Sequence, residues 1–304
     1  MKSFSPVRQV VATVALAALS FGAQSVPVYS LADNGNSLIR FDSLTPGAVT
    51  VVGAISGAAG SLSGLDFRPA DGLLYGYQQG SSGIYQVNNF TGATTLVSTS
   101  SVTTSGQSGI DFNPVVDRLR VVSTNDNNLR ITVASGATDV DGTLAYAVGD
   151  ANFGANPNIV DAANTFSDRN AATSTTLYYI DSSRGTLVTT GNPNGGVLNT
   201  VGALGFNTYN STGFDIFTDL NGINTAFASL QVRGVSGLYA INLGTGAATL
   251  IGAINANNLF GLAVAPTAVP EPGTLALFGA AVLAFGMTRR RTAGGVVKTP
   301  ATRA

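Results

Sequence analysis

The chain has 304 residues, of which 44% are hydrophobic and 37 are Gly, a composition that suits one large domain or two small ones built from short strands and frequent turns. It contains no Cys, His or Trp and a single Glu, Glu271, which excludes imidazole bases, thiolate nucleophiles, disulfides and soft-metal sites. Residues 26–268 carry fifteen Asp, eight Arg and no Lys, a net charge of 8 − 15 = −7, and so acidic a segment repels nucleic acid.

The first 25 residues predict a secretory signal peptide. Lys2 and Arg8 precede twelve mostly apolar residues, 10–21, and small residues follow up to Ser25. This order is that of a signal removed by signal peptidase, and the apolar run is too short to span a bilayer. We expect cleavage after Ser25. Cleavage after Ser20 and a retained, buried first helix are the alternatives.

Two short patterns repeat between residues 26 and 268. The first is a Gly-x-Asp strand at 64–67, 109–112 and 213–216, with an altered copy at 261–264. The second is a glycine turn before a strand that is often rich in Thr. Its turn glycines are 45, 44, 60 and 50 residues apart, at Gly47, Gly92, Gly136, Gly196 and Gly246. A period of roughly 40–50 residues with glycine turns is typical of four-stranded propeller blades.

We therefore predict an all-β fold, a β-propeller of about five four-stranded blades, with six blades as the fallback. A solenoid and a lectin-like sandwich are the alternatives. The Asn/Gly/Ala-rich segment 149–158 explains the longest interval as an inserted loop. The first unit lacks a Gly-x-Asp strand, and the last unit, 259–266, consists of that strand alone. We expect this last strand to complete the first blade, which removes an open sheet edge.

One segment carries a family resemblance. Residues 109–123 read Gly-Ile-Asp-Phe-Asn-Pro-Val-Val-Asp-Arg-Leu-Arg-Val-Val-Ser, and Asn-Leu-Arg at 128–130 and Leu-Asn-Thr-Val-Gly at 198–202 follow. These segments resemble the bacterial domain-of-unknown-function family 4394. The resemblance runs from about Val28 to Pro266, supports the repeat interpretation and implies no activity.

Three aspartates occupy equivalent positions on the predicted innermost strands: Asp66, Asp111 and Asp215. We predict that they line one level of a central channel, although Ala263 interrupts the ring and the fourth unit, 161–166, offers no clear equivalent. Their carboxylates suit calcium. The interpretation we favour is that each accepts hydrogen bonds from backbone amides, with no metal, no cofactor and no catalytic residue.

Three other groups of residues each allow a functional and a structural interpretation. Residues 139–142, Asp-Val-Asp-Gly, resemble the start of a calcium loop but lack its Glu, and the repeat places them at a strand end. Asp117, Arg118 and Arg120 suit an ion pair or a substrate clamp, yet we favour a solvated turn and strand face. Six tyrosines suit either a sugar-stacking surface or packing between blades, which we favour: Tyr75, Tyr77, Tyr85, Tyr178, Tyr179 and Tyr239.

The C-terminal segment has three parts. Val269, Pro270, Glu271 and Pro272 form an extended motif, residues 274–287 are apolar and predict a short hydrophobic helix, and a basic cluster follows, formed by Arg289, Arg290 and Arg291. This arrangement resembles the PEP-CTERM sorting signal of Gram-negative bacteria that make exopolysaccharide, and the resemblance implies processing by the membrane protease exosortase. A plain one-span anchor is the alternative, but fourteen apolar residues are short for the ~20 that span a bilayer.

The predicted organisation is thus a signal peptide at 1–25, a repetitive all-β domain at 26–268 and a sorting tail at 269–304. We expect the tail to insert transiently in the inner membrane, and the protein to end at the cell surface or in the extracellular matrix. We expect no enzymatic activity and binding to exopolysaccharide or another surface protein. The alternative is a secreted propeller hydrolase or lyase that uses Asp and calcium, although no pair of carboxylates suited to glycoside cleavage can be identified.

Overall fold

The computed structural model describes residues 25–168 and 174–266. Over these residues it is an all-β propeller with five blades, which confirms the predicted fold class and blade number. The predicted signal peptide and C-terminal hydrophobic helix lie outside the described residues. No helix among the described residues is long and apolar enough to cross a membrane.

The strands follow one another around the ring, blade by blade. Blade 1 begins with β1 (Pro27–Ala32), β2 (Ser37–Asp42) and β3 (Thr45–Ala54). Blade 2 contains β4 (Gly64–Phe67), β5 (Leu74–Gln78), β6 (Gly83–Val87) and β7 (Thr94–Thr99). Blade 3 contains β8 (Ser108–Asn113), β9 (Arg118–Ser123), β10 (Asn128–Ile131) and β11 (Thr138–Val140).

Blade 4 has one strand more than the others. The short β12 (Ala145–Tyr146) precedes β13 (Ile159–Asn164), β14 (Leu177–Asp181), β15 (Thr186–Asn192) and β16 (Val197–Ala203). Blade 5 contains β17 (Thr212–Thr218), β18 (Asn224–Val232), β19 (Val235–Ile241) and β20 (Ala248–Ala253), and β21 (Phe260–Val264) returns to blade 1. Two short 3-10 helices lie at Asp33–Gly35 and Pro193–Gly195. Between β12 and β13 runs the predicted inserted loop.

In each blade the strands pair antiparallel from the centre outward, and only β12 pairs parallel, with β16. Blade 1 has the order β21-β1-β2-β3, with Val28 opposite Val264 and Tyr29 opposite Ala263. The last strand therefore closes the ring, as predicted. Among the described residues, every strand ladder lies between Pro27 and Val264, and the compact unit that contains the propeller ends at Pro266.

Burial decreases from the centre of each blade to its rim. The inner strand β17 is buried at all seven positions, because its two faces contact the neighbouring blades. The outer strand β20 has no buried residue. The core consists of apolar layers between blades, for example Tyr75 edge-on against Phe112 with ring centroids 5.4 Å apart across blades 2 and 3.

In blades 2 to 5 the predicted glycine turns join the third and fourth strands from the centre, and we call them the outer turns. The turn predicted at Gly47 is wrong, because Gly47 lies inside β3 and residues 43–44 connect β2 to β3. In blade 2, Gly92 has φ +77°, and a Cβ there would lie 2.7 Å from the carbonyl oxygen of Ala54 in blade 1. Only glycine fits, because the backbone is left-handed and the turn packs against the preceding blade. Blades 3 and 5 repeat the turn, with Gly136 and Gly246 again donating to the carbonyl four residues earlier at 2.8 Å.

Candidate functional site

The inner strands bring three carboxylates together in the centre of the propeller. Asp66 lies on β4, Asp111 on β8 and Asp215 on β17, and one oxygen of each lies within 4.8 Å of the others. All three side chains are buried. Residues up to 149 positions apart in the chain thus meet at one level of the predicted channel. We call this group the channel carboxylates.

Each channel carboxylate accepts a hydrogen bond from the backbone of the next blade. The amide of Phe112 donates to Asp66 Oδ2 at 2.7 Å, the amide of Asn164 donates to Asp111 Oδ1 at 3.1 Å, and the amide of Val264 donates to Asp215 Oδ2 at 2.7 Å. Inner strands of neighbouring blades form no ladder with one another, so these amides would otherwise lack a partner. The carboxylates therefore join the blades, which is the interpretation that the sequence favoured.

A fourth buried aspartate, Asp161 on β13, was missed as a member of this layer. Its Oδ2 accepts the amide of Phe214 at 2.8 Å, so it joins blades 4 and 5 as the others join theirs. In blade 4 the position equivalent to the channel carboxylates is occupied by Ala163, which precedes the amide donor Asn164 just as Asp111 precedes the donor Phe112. Asp161 lies two residues before that position in the strand. A register shift between Ile159 and Asp161 hides this relation in the sequence.

Close packing of the inner strands explains why the Gly-x-Asp pattern begins with glycine. Asp161 stands where blades 2, 3 and 5 have glycine, and its atoms fill the space beside Gly109. A Cβ on Gly109 would lie 2.2 Å from Asp161 Oδ1 and 2.4 Å from its Cα. The glycine is therefore required by close packing of adjacent inner strands rather than by a turn.

Burial dominates the electrostatics of these groups. Desolvation raises the pKa of Asp66, Asp111 and Asp161 well above the ordinary carboxyl value, and mutual repulsion raises these values further. Desolvation also raises the pKa of Asp215 to about 7. The hydrogen bonds from backbone amides act in the opposite direction, and Arg120 lowers the pKa of Asp111. Burial and mutual repulsion thus both disfavour full ionisation of the three channel carboxylates.

The channel carboxylates are the only group of three or more potential metal ligands within residues 25–168 and 174–266. The separation of their oxygens suits a calcium ion, which takes roughly six to eight oxygen ligands at about 2.3–2.6 Å. Both oxygens of Asp111 and Asp215 already accept hydrogen bonds, from Asn164 to Asp111 and from Ile216 and Val264 to Asp215. The spacing of the three carboxylates thus suits a cation, but their oxygens already accept hydrogen bonds that join the blades.

Residues 139–142, which the repeat placed at a strand end rather than in a calcium loop, carry ion pairs. Asp141 accepts from Arg120 Nη1 at 2.6 Å and from Arg130 Nε at 2.7 Å, and its side chain is 5% exposed. Asp139, 53% exposed, contacts Arg118 at 2.6 Å. The two aspartates therefore neutralise arginines of neighbouring strands, and the structure places no shared ligand position between them.

The expected solvated face of β9 is wrong for Arg120. Its side chain is 6% exposed, pairs with Asp141, and donates to Asn128 Oδ1 at 2.6 Å and to Asn194 Oδ1 at 3.1 Å. Asn194 belongs to the outer turn of blade 4, so this guanidinium joins blades 3 and 4. Arg118 and Asp117 lie at the surface, where Asp117 pairs with Arg68. The three residues do not form a common clamp.

The predicted tyrosine positions are packing sites. Five of the six rings are buried between blades and the sixth, Tyr178, is partly buried, which confirms the packing interpretation. The sorting motif Val269, Pro270, Glu271 and Pro272 and the basic cluster Arg289, Arg290 and Arg291 lie outside the described residues.

Comparison with solved structures finds two proteins with low similarity to this chain. A protein of unknown function from Bacteroides thetaiotaomicron VPI-5482 is 14% identical with a TM-score of 0.47, over 80% of this chain and 68% of that one. A protein from Lactobacillus plantarum is 15% identical with a TM-score of 0.42, over 78% of this chain and 71% of that one. No curated protein matches the chain.

Two families match by sequence. Residues 268–291 match the PEP-CTERM protein-sorting motif, which implies export and processing by exosortase. Residues 37–263, which are nearly the whole propeller, match the domain of unknown function DUF4394. The chain therefore belongs to the DUF4394 family, as a propeller followed by a PEP-CTERM sorting motif.

Proposed function

We propose that this chain is a non-enzymatic protein of the cell surface or extracellular matrix of a Gram-negative bacterium, displayed after exosortase removes its tail. The propeller serves as a rigid binding scaffold, and exopolysaccharide or another surface protein is its partner. The transient attachment to the inner membrane belongs to the sorting step and not to the final state.

The observation that carries this proposal is the position of the sorting motif. The propeller ends at Pro266, and the PEP-CTERM match begins at residue 268. The ring closes at β21, before the motif begins, so every described strand precedes the residues that sorting removes. A protein organised in this way can lose its tail without losing a strand.

The channel carboxylates support a structural role over a catalytic one. Asp66, Asp111 and Asp215 are buried, and each already accepts a backbone amide of the next blade. A hydrolase needs carboxylates that substrate can reach, one acting as acid and one as base or nucleophile. The close spacing of these three oxygens is the observation that favours the alternative, a hydrolase or lyase that uses Asp and calcium.

Intact-mass analysis of the protein extracted from the cell surface tests the proposal. We expect a chain that begins near Val26 and has lost all residues after Pro272. In a matched variant with Pro270, Glu271 and Pro272 each replaced by alanine, we expect the tail to be retained and the protein to stay in the membrane fraction. A surface form that still carries residues 289–304 would contradict processing by exosortase.

A further inference from the structure

A cleft of about 350 Å³ lies at the edge of blade 2, between the β4–β5 loop and the outer turn that joins β6 to β7. Leu73 and Phe90 contribute apolar surface to it, and Gln86, Asn89 and Thr95 contribute polar side chains. No charged residue lines the cleft. It lies away from the channel carboxylates and uses none of the residues discussed above.

Phe90 stands at the tip of the outer turn with 81% of its surface exposed. The turn itself does not require an aromatic residue. Blades 3 and 5 build the same turn with the same backbone hydrogen bonds, and the positions equivalent to Phe90 are Ala134 and Gly244. Exposed hydrophobic residues also occur elsewhere on the surface, but Phe90 is the exposed aromatic residue that lines this cleft, where its ring lies beside polar side chains and offers an aromatic face to a ligand.

Two more residues of the cleft depart from the pattern of blade 5. Gln86 pairs with Thr95 across the strands as Ala240 pairs with Thr249, so Gln86 replaces an alanine. By the same register Asn89 replaces Leu243, which packs against the core in blade 5. Phe90, Gln86 and Asn89 thus differ in type from the equivalent residues of blade 5, and all three line the same cleft.

We propose that this cleft binds a neutral pyranose unit of a polysaccharide, with the C–H face of the sugar against Phe90 and its hydroxyls on Gln86, Asn89 and Thr95. This inference rests on the proposed function and names the site and the ligand class. Amide side chains both donate and accept, as sugar hydroxyls do. Within the part of the chain that the structure describes, no intramolecular hydrogen bond engages these three side chains.

The lining also selects against charged ligands. A uronic acid or a phosphate would be held by Arg or Lys, usually through paired hydrogen bonds, and the cleft contains neither. An aromatic face has a negative electrostatic potential, which favours the C–H groups of a sugar ring and disfavours an anion. The volume lies at the small end of the range of ligand sites, about 300–1,000 Å³, which suits one sugar unit of a chain that continues into solvent.

Affinity electrophoresis of a protein of residues 25–266 tests the proposal. The probes are three neutral polysaccharides, dextran, a mannan and a galactan, with the uronate polymer alginate for comparison. We expect at least one neutral polymer to retard the protein and alginate to have no effect. Phe90→Ala, which installs the residue of blade 3, should weaken binding about tenfold. Tyr209→Ala, which removes an exposed aromatic outside the cleft, should leave binding unchanged.

Three outcomes would overturn the proposal. They are the absence of retardation by every neutral polymer, retardation that Phe90→Ala leaves intact, and Phe90-dependent binding of alginate or of phosphatidylethanolamine–phosphatidylglycerol vesicles in place of the neutral polymers. Equal melting temperatures of both variants and the parent establish that the fold is unchanged. A negative result in affinity electrophoresis would not change the intact masses expected for the surface protein. The two experiments therefore distinguish failure of this proposal from failure of the proposed sorting and display.

Discussion

Asp141 receives two arginines on one carboxylate, and the surroundings of those arginines differ sharply. Arg120 is almost fully buried and also joins an asparagine of the next blade, whereas Arg130 is partly exposed. Two residues before Arg120 on the same strand, Arg118 pairs with the exposed Asp139. One strand therefore carries a buried and an exposed ion pair side by side, which is a matched comparison within the molecule.

We predict that Arg120→Ala destabilises the propeller by about 3–5 kcal/mol, because it leaves the buried Asp141 with one arginine and removes the donor to Oδ1 of the buried Asn128. Arg118→Ala should cost about 1 kcal/mol or less, since its pair with Asp139 is screened by solvent. Urea denaturation of residues 25–266 measures both changes. Similar losses for the two variants would show that burial does not decide the strength of these pairs.

The sequence predicted the Asp66, Asp111 and Asp215 group but not the role of Arg120 or Asp161. The three aspartates repeat with the blade, so internal alignment alone finds them. Arg120 and Asp161 have no equivalent in the other blades, so the repeat does not single them out. Their burial depends on contacts with the next blade, which the repeat pattern does not predict. Phe90 was also missed, although its signal is visible: it is the aromatic tip where other outer turns have Ala134 and Gly244.

Among the elements, β21 contributes more than its five residues indicate. It pairs with β1 and fills the inner position of blade 1, and Val264 donates its amide to Asp215 in blade 5. Leu262 and Val264 are buried in the layer between blades 5 and 1. Sequence analysis could predict the pairing of this strand, because the first repeat lacks its inner strand and the last repeat consists of an inner strand alone.

We predict that a chain of residues 25–258 has a free energy of unfolding lower by about 5 kcal/mol or more than that of residues 25–266. The shorter chain lacks the buried side chains of Leu259, Leu262 and Val264, and its strand β1 has a free edge. This difference is comparable to the whole stability of a typical domain, so we expect a lower and broader thermal transition. Calorimetry of the two chains measures the difference. Equal melting temperatures would contradict ring closure as a source of stability.

At the scale of the whole molecule, the channel carboxylates connect the pH of the solution to the stability of the ring. They come from blades 2, 3 and 5, and each accepts an amide of the next blade. Their pKa values are raised by burial in the folded state, to about 7 for Asp215, above the ordinary carboxyl value in an unfolded chain. The folded protein therefore binds protons more tightly than the unfolded protein does.

We predict that the melting temperature of residues 25–266 falls as the pH rises from 5 to 8. Stability from a raised carboxyl pKa is complete below about pH 4, the unfolded value, and is lost as the pH passes the folded value. Asp150 and Asp219 have lowered pKa values and act in the opposite direction, but solvent reaches both and weakens their effect.

Asp215→Asn is the matched variant for this prediction. Its single side-chain oxygen can still accept the amide of Val264, whereas the amide of Ile216 loses its acceptor, so we expect a lower melting temperature at every pH. Because the group no longer titrates, the fall in melting temperature between pH 5 and pH 8 should be smaller. Calcium and a chelator complete the measurement, and neither should change the melting temperature at pH 8. A rise with calcium that chelator reverses would contradict the role of these groups as proton-binding acceptors, and it would favour the hydrolase or lyase alternative.

The closure of blade 1 by β21 also sets an order of events during secretion. A chain that leaves the cell from its N terminus delivers β1, β2 and β3 first, and the strand that completes their sheet is almost the last of the propeller to emerge. Until β21 has emerged, the inner position of blade 1 is unfilled and the ring stays open. Maturation of the fold therefore waits for residue 264 and immediately precedes the arrival of the sorting motif at 268.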